Sequence, residues 1–277
     1  MIYSCKLSHF ERSEFLKKNK NKISDISYLH YIKLLCRSYL FIAALVVYVI
    51  NKARKSEDLF LGIEDKPIIL SVIWIFFVVE MIFRFFPAKV ESMGCQKQFE
   101  RNFVPTGETV PAKLSWVRTF IAAALWLLLN GIIGLLYFLK VYDAGVLVLI
   151  ALAFSVCDMI CILFFCPFQT WILKNKCCTT CRIYNWDYAM MFTPLIFVKN
   201  FFAISLVVLS VLLLIKWEVV YKLHPERYTE NTNANLECKN CKEKLCQHKK
   251  QLQGFLKKQK ELIKKNAEKI KNKMSKK

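Results

Sequence analysis

Apolar residues fall in long blocks along this chain, at about 34–50, 68–86, 119–139, 144–165 and 194–215. A helix that spans the hydrocarbon core of a bilayer needs about 20 mostly apolar residues, in a range of about 17–25. The third, fourth and fifth blocks meet this easily. The second, IILSVIWIFFVVEMIFRFF, meets it while carrying Glu80 and Arg84. The first is at the lower limit with Arg37 near its start, so it reads either as a span or as a short interfacial helix. No block alternates in the manner of a membrane β-strand, and helices satisfy their own backbone hydrogen bonds in lipid. The expected fold is all-α: a multi-pass helical integral membrane protein with about five transmembrane helices and a basic, partly helical C-terminal tail. The expected organisation is a basic N-terminal segment at 1–33, a transmembrane helical domain at 34–215, and a polar basic tail at 216–277.

The polar connections set the order of faces. Between the third and fourth blocks lie only Lys140 to Asp143, a tight helical hairpin. Longer connections follow the second block (Pro87 to Arg118) and the fourth (Cys166 to Thr193). Lys and Arg near segment ends favour the cytoplasmic side. The N-terminal region and both long connections are basic, whereas 51–67 and 140–143 balance their charges and suit the outer face. Five spans then send the Lys-rich tail outside, against its own charge. Either the first block does not span, or the last re-enters near Pro194. The first segment, ending in NKARKS, lacks a small-x-small cleavage site and reads as a retained anchor in the cell membrane.

Charge adds a partner. Of 277 residues, 41 are Lys or Arg against 21 Asp or Glu, a formal net charge of +20 concentrated at the two ends. That balance suits a lipid bilayer with anionic headgroups, and a protein partner for the tail. Nucleic acid is not expected, because no recognition motif is present. The tail helix places Leu252, Phe255, Leu256, Leu262, Ile263, Ile270 and Met274 among lysines, the pattern of a basic amphipathic helix.

Candidate chemistry sits in three places. Glu80 and Arg84 are four apart on one helix face, and Asp158 lies between Cys157 and Cys161. Ionisable groups at membrane depth are costly unless paired or wetted, so these three mark an intramembrane polar site or a structural pair. Cys166, Cys177, Cys178 and Cys181 gather in one connection, flanked by Lys174, Lys176 and Arg182. Neighbouring cations raise thiolate character, which both metal binding and redox exchange require. Cys178-x2-Cys181 is also a half-site for zinc or an iron–sulfur cluster. Cys157 and Cys161 read as packing residues. In the tail, Cys238, Cys241, Cys246 and His248 offer the donors of a Cys3His zinc site, with an iron–sulfur cluster the lesser possibility. Smaller signals are local. Gly131 and Gly134 suit close helix packing, with Asn130 bonding to a neighbouring helix. Tyr184, Trp186 and Tyr188 suit an interfacial belt, and Asp187 a helix cap.

No catalytic template is present: there is no Walker loop, GxSxG, HExxH or dinucleotide fingerprint. The sequence therefore points away from an enzyme. It points toward a small membrane protein carrying a thiol-based metal or redox site at one face. A structural subunit with inert cysteines, and a carrier or channel component using Glu80, Arg84 and Asp158, remain open beside it.

Overall fold

The computed structural model describes residues 25–53, 67–87, 93–108, 110–112, 115–175 and 177–241, with four isolated tail positions at 254, 259, 262 and 263. These residues form an all-helical bundle. The long helices are α1 (Asp25–Ala53), α2 (Pro67–Phe85), α3 (Trp116–Phe138) and α4 (Ala144–Leu163). A short α5 (Asp187–Phe192) runs into a 3-10 turn (Thr193–Phe197), and α6 (Phe201–Leu223) follows. Residues 28–53, 116–138, 144–163 and 201–223 are each long and apolar enough to cross a membrane. The 19-residue α2 packs among them.

Local chemistry sets the helix ends. Lys140 takes a left-handed conformation (φ 56°) that stops α3, and the Asp143 carboxylate then accepts from the Val146 N–H at 3.2 Å to start α4. The side chain of Asn200 caps α6 through the Phe202 N–H at 2.9 Å. α1 begins at Asp25, well before the apolar block at 34, and is a full 29-residue helix. It can begin early because its polar residues His30 and Arg37 are buried against the bundle and not left facing lipid.

Contacts order the two ends of the bundle. The start of α1 meets the end of α4, where Tyr31 packs on Phe164, and the far end of α1 meets the start of α4, where Lys52 reaches Asp143. The start of the bundle's cysteine-bearing end is thus shared by the N-terminus of α1, the end of α2, the start of α3 and the end of α4. The fifth apolar block forms the span α6, which starts at Phe201 and not at 194, and residues 187–200 before it run along the bundle in short pieces. Asp187 pairs with Arg84 at the cysteine end, whereas Phe197 packs on Tyr137 and Phe138 at the opposite end. α6 starts at that opposite end, where Trp74 donates to Ser205 and packs on Phe201 and Phe202. It returns to the cysteine end, where Lys216 bonds the Phe85 carbonyl and Trp217 packs on Phe99. Residues after α6 therefore emerge beside the connection that follows α2.

Those two connections interlock. Ala234 N–H donates to Val104 O at 2.8 Å and Thr106 N–H to Thr232 O at 3.2 Å, around one isolated bridge between Pro105 and Asn233. Gln98 ties this cap to the cysteine connection through Thr179 O and Asn185.

The small-residue pair in α3 divides. A side chain at Gly134 would run into the ring of Phe197, whereas Gly131 has open space around it. Asn130 bonds the carbonyl of Trp126 in its own helix at 2.9 Å and does not bridge to a neighbour. Gly134→Val is expected to destabilise the fold by about 1–3 kcal/mol through overpacking. Gly131→Ala should be neutral or slightly stabilising. Thermal unfolding of both variants in detergent checks this, and equal midpoints would count against the seat assigned to Phe197.

Candidate functional site

At the cysteine end, helices α1, α2, α4 and α5 converge on buried charge. Arg37 of α1, 1% exposed, donates to Glu80 Oε2 at 2.7 Å and to Asp158 Oδ2 at 2.9 Å, and also to the Ser155 carbonyl at 3.0 Å. Lys33, one turn earlier, lies 3.4 Å from Glu80 Oε1. Arg84 pairs with Asp187 Oδ2 at 2.5 Å. The Tyr188 ring lies between the two guanidinium groups, 5.8 Å from that of Arg37 and 5.4 Å from that of Arg84, and its hydroxyl donates to Glu80 at 3.3 Å.

Three cations (Lys33, Arg37, Arg84) face three carboxylates (Glu80, Asp158, Asp187), so the group is neutral as a whole. Neutrality is what makes such a cluster tolerable at low dielectric, since an unmatched charge there bears the full desolvation cost. The pairing differs from the sequence expectation. Glu80 does not pair with Arg84 one turn away; each reaches across to another helix. The structure joins Glu80 to Asp158 through Arg37, and places Arg84 beside them through the shared Tyr188 ring.

Asp187 is the first residue of α5 and not its cap, and it serves Arg84 instead. Of the aromatic residues near it only Tyr188 is buried, and Tyr184 and Trp186 are half-buried. Tyr188 is 1% exposed, and Trp186 donates to Glu218 at 2.6 Å.

Against the carboxylates of Asp158 and Asp187 lies a cavity of about 140 Å³. Five cysteines line it: Cys157, Cys161 and Cys166 from the end of α4, and Cys178 and Cys181 from the loop that follows. Trp126, Phe154 and Met191 close its apolar side. α4 sets the first two thiols one turn apart, and the chain then turns at Pro167 into a single wide helical turn, Phe168–Ile172. That turn presents Gln169, whose Oε1 accepts from Cys178 Sγ at 3.0 Å. Cys178 and Cys181 are joined by a tight turn, with Cys181 N–H donating to Cys178 O at 3.0 Å. Cys177 stands outside the cavity lining and contacts Thr179 Oγ1 at 3.1 Å. Among the described residues no two cysteines are joined by a disulfide.

The two members of the pair differ. Cys178 is half-buried, whereas Cys181 is buried among Ala122, Ile183 and neighbouring thiols. Burial pushes the Cys181 thiol up to about 12, partly offset by a backbone hydrogen bond at Ile183. It is a neutral thiol at ordinary pH.

In the tail, Cys238 and Cys241 sit at either end of one 3-10 turn (Cys238–Asn240), with Cys241 N–H donating to Cys238 O at 3.3 Å. Cys246 and His248 lie outside the described residues. Among the described residues no group of three or more His, Cys, Asp or Glu side chains comes together in a way that would hold a metal ion.

Sequence reasoning did not single out Lys33 or Gln169, noted Arg37 only as a charge near the start of the first block, and read Tyr188 as an interfacial residue. Arg37 carried a usable signal, because an arginine inside an apolar stretch implies an acidic partner. Cys157 and Cys161, read as packing residues, belong to the cavity wall. Comparison with known protein families, with curated proteins and with solved structures finds no match, so the site is read from its own chemistry.

Proposed function

We propose that this is a multi-pass protein of the cell membrane whose cysteine-lined cavity is a thiol redox centre, with Cys178 and Cys181 as the exchanging pair. One observation carries the reading: five cysteines from a helix end and the loop after it line a single cavity. Incidental packing would scatter them. A tight turn brings the pair together, and the half-buried Cys178 beside the buried, neutral Cys181 suits attack by the first thiol and closure by the second. Redox exchange is favoured over metal binding in this cavity, since among the described residues no three of its donors stand close enough together to hold one metal ion. The neutral ion cluster behind the cavity holds α1, α2, α4 and α5 in register. For the tail we propose a zinc ion on Cys238, Cys241, Cys246 and His248, supported by the turn that joins the first two cysteines. The basic run beyond it contacts anionic headgroups or an acidic partner.

The test is a redox titration of the full-length protein in detergent, read by mass spectrometry of the peptide spanning 177–182. A reversible loss of two hydrogens with a midpoint between about −300 and −120 mV is expected. Closure of a mixed disulfide at Cys178 needs the Cys181 thiolate, and an acid whose pKa is raised is ionised only as pH climbs toward it. The closure rate should therefore rise about tenfold per pH unit from 7 to 10 without levelling. Thiols that stay reduced throughout that range, or oxidise only irreversibly, would leave a structural protein with inert cysteines.

A further inference from the structure

The run of residues 187–200 along the bundle and the return of α6 decide which side of the membrane the cavity faces. Residues 187–200 run from the cysteine end of the bundle to the opposite end as three short pieces. Six α-helical residues rise about 9 Å and five 3-10 residues about 10 Å, after which the Asn200 N–H turns back to the Val198 carbonyl at 3.0 Å. This path takes the chain from Arg84 at the cysteine end to Tyr137 and Phe138 at the other, from which α6 returns.

Irregular backbone at that depth is tolerated only inside protein, and one face of this segment is buried through Tyr188, Met191, Phe192, Leu195 and Val198, with Ile196 exposed on the other. Pro194 breaks the helix, and the hydroxyl of Thr193 takes up the Ala189 carbonyl at 2.6 Å. The Asn200 cap then starts α6 on its way back. A hydropathy reading merges both passes into one block because the broken piece is short and its neighbour is strongly apolar.

Six passes put both polar ends of the chain at the cysteine end of the bundle. Charge then assigns the side. At that end Lys and Arg outnumber Asp and Glu six to two in 1–24, four to three in 86–115, three to none in 164–186 and sixteen to six in 224–277. At the other end the ratio is three to four in 54–66, one to one in 139–143 and one to none in 198–200. An asymmetry so consistent places the cysteine end in the cytosol.

Resting on the redox reading above, we infer that the chain crosses the membrane six times and that its thiol cavity exchanges electrons with a soluble cytosolic dithiol. A thiolate of that dithiol attacks Cys178 in the Cys178–Cys181 disulfide, and Cys181 leaves and takes up a proton. The partner's second thiolate then attacks its own sulfur in the mixed disulfide and releases Cys178, which is protonated in turn. Two electrons and two protons pass to the chain, and the partner departs as a disulfide. The same exchange run in reverse, with the partner's disulfide as the two-electron oxidant, forms the Cys178–Cys181 disulfide from the dithiol and releases the partner as a dithiol.

The experiment uses a membrane-impermeant maleimide on intact cells and on inverted vesicles. Labelling is read by mass spectrometry at Cys178, at the exposed Cys238, and at a cysteine introduced as Lys140→Cys in the α3–α4 hairpin. Cys178 and Cys238 should lose all label in intact cells and gain it in inverted vesicles, with Lys140→Cys showing the reverse. Label on Cys178 in intact cells, or opposite sides for Cys178 and Cys238, overturns the six-pass arrangement. A reversible redox titration in that event leaves the thiol reading standing. Cytosolic labelling with no reversible oxidation overturns the exchange and the thiol reading together, while the six passes remain.

Discussion

Arg37→Met is expected to destabilise the folded protein by about 3–5 kcal/mol, the scale on which an ion set broken on one side is lost. The guanidinium serves Glu80 and Asp158 together, at 2.7 and 2.9 Å, and also bonds the Ser155 carbonyl. Removing it leaves two carboxylates in the interior, with Lys33 still beside Glu80. The same reasoning predicts a rescue. When a whole buried ion set is replaced by neutral groups of similar volume, the change is often neutral or even favourable. Arg37→Met combined with Lys33→Met, Glu80→Gln and Asp158→Asn removes two cations and two carboxylates, and should therefore regain most of the lost stability. Thermal unfolding in detergent reads both variants. A single variant that melts with the wild type would show that the cluster is solvated and not desolvated. A quadruple variant no better than the single would show that Arg37 acts through packing on Phe77 and Tyr188.

Asn233→Ala should be the next most damaging change. Asn233 is fully buried, and its amide donates to the carbonyls of Lys97 at 3.0 Å and Arg227 at 2.9 Å while its oxygen accepts from Asn235 N–H. Alanine leaves two buried carbonyls and one N–H without that partner, and each such group costs about 1–3 kcal/mol. The loss should be local, because the affected residues join 93–106 to 224–241 and not one helix to another. Proteolysis within 224–241 is expected to accelerate by one to two orders of magnitude, about the change that 1.4–2.8 kcal/mol implies, while the helical signal in detergent stays constant. Unchanged cleavage would mean that the tail segment is held by something other than this amide.

Helix content was legible in the sequence because the determinant is one-dimensional: a run of apolar residues long enough to cross a bilayer. The broken backbone at 187–200 was legible only as the option of re-entry near Pro194. Its α-helical and 3-10 pieces are each too short to register, and only their burial against α3, α4 and α6 makes them viable. Charge positions were visible, yet their partners were not. Glu80 and Arg84 satisfy the i, i+4 rule on one helix, but in an interior layer each meets a charge offered by another element at shorter range. Asp187 looked like a cap because capping is a local option, and a buried arginine outbids it.

For the cysteines, the sequence showed that four thiols share one connection. It could not show that Cys157 and Cys161 face the same cavity, since a helix face becomes inward or outward only when its neighbours are known. The tail motif is divided, with Cys238 and Cys241 placed on one turn and Cys246 and His248 outside the described residues.

The convergence of thiols from α4 and from the following loop is the claim on which the functional reading depends. A short bifunctional thiol reagent applied to the full-length protein, followed by digestion and mass spectrometry, tests it most directly. Peptides carrying Cys157, Cys161 or Cys166 should be recovered linked to the peptide carrying Cys178 and Cys181, at reagent concentrations that leave Cys36 and Cys238 singly modified. Recovery of these cysteines only as single adducts, with no link between the α4 end and the loop, would contradict the account.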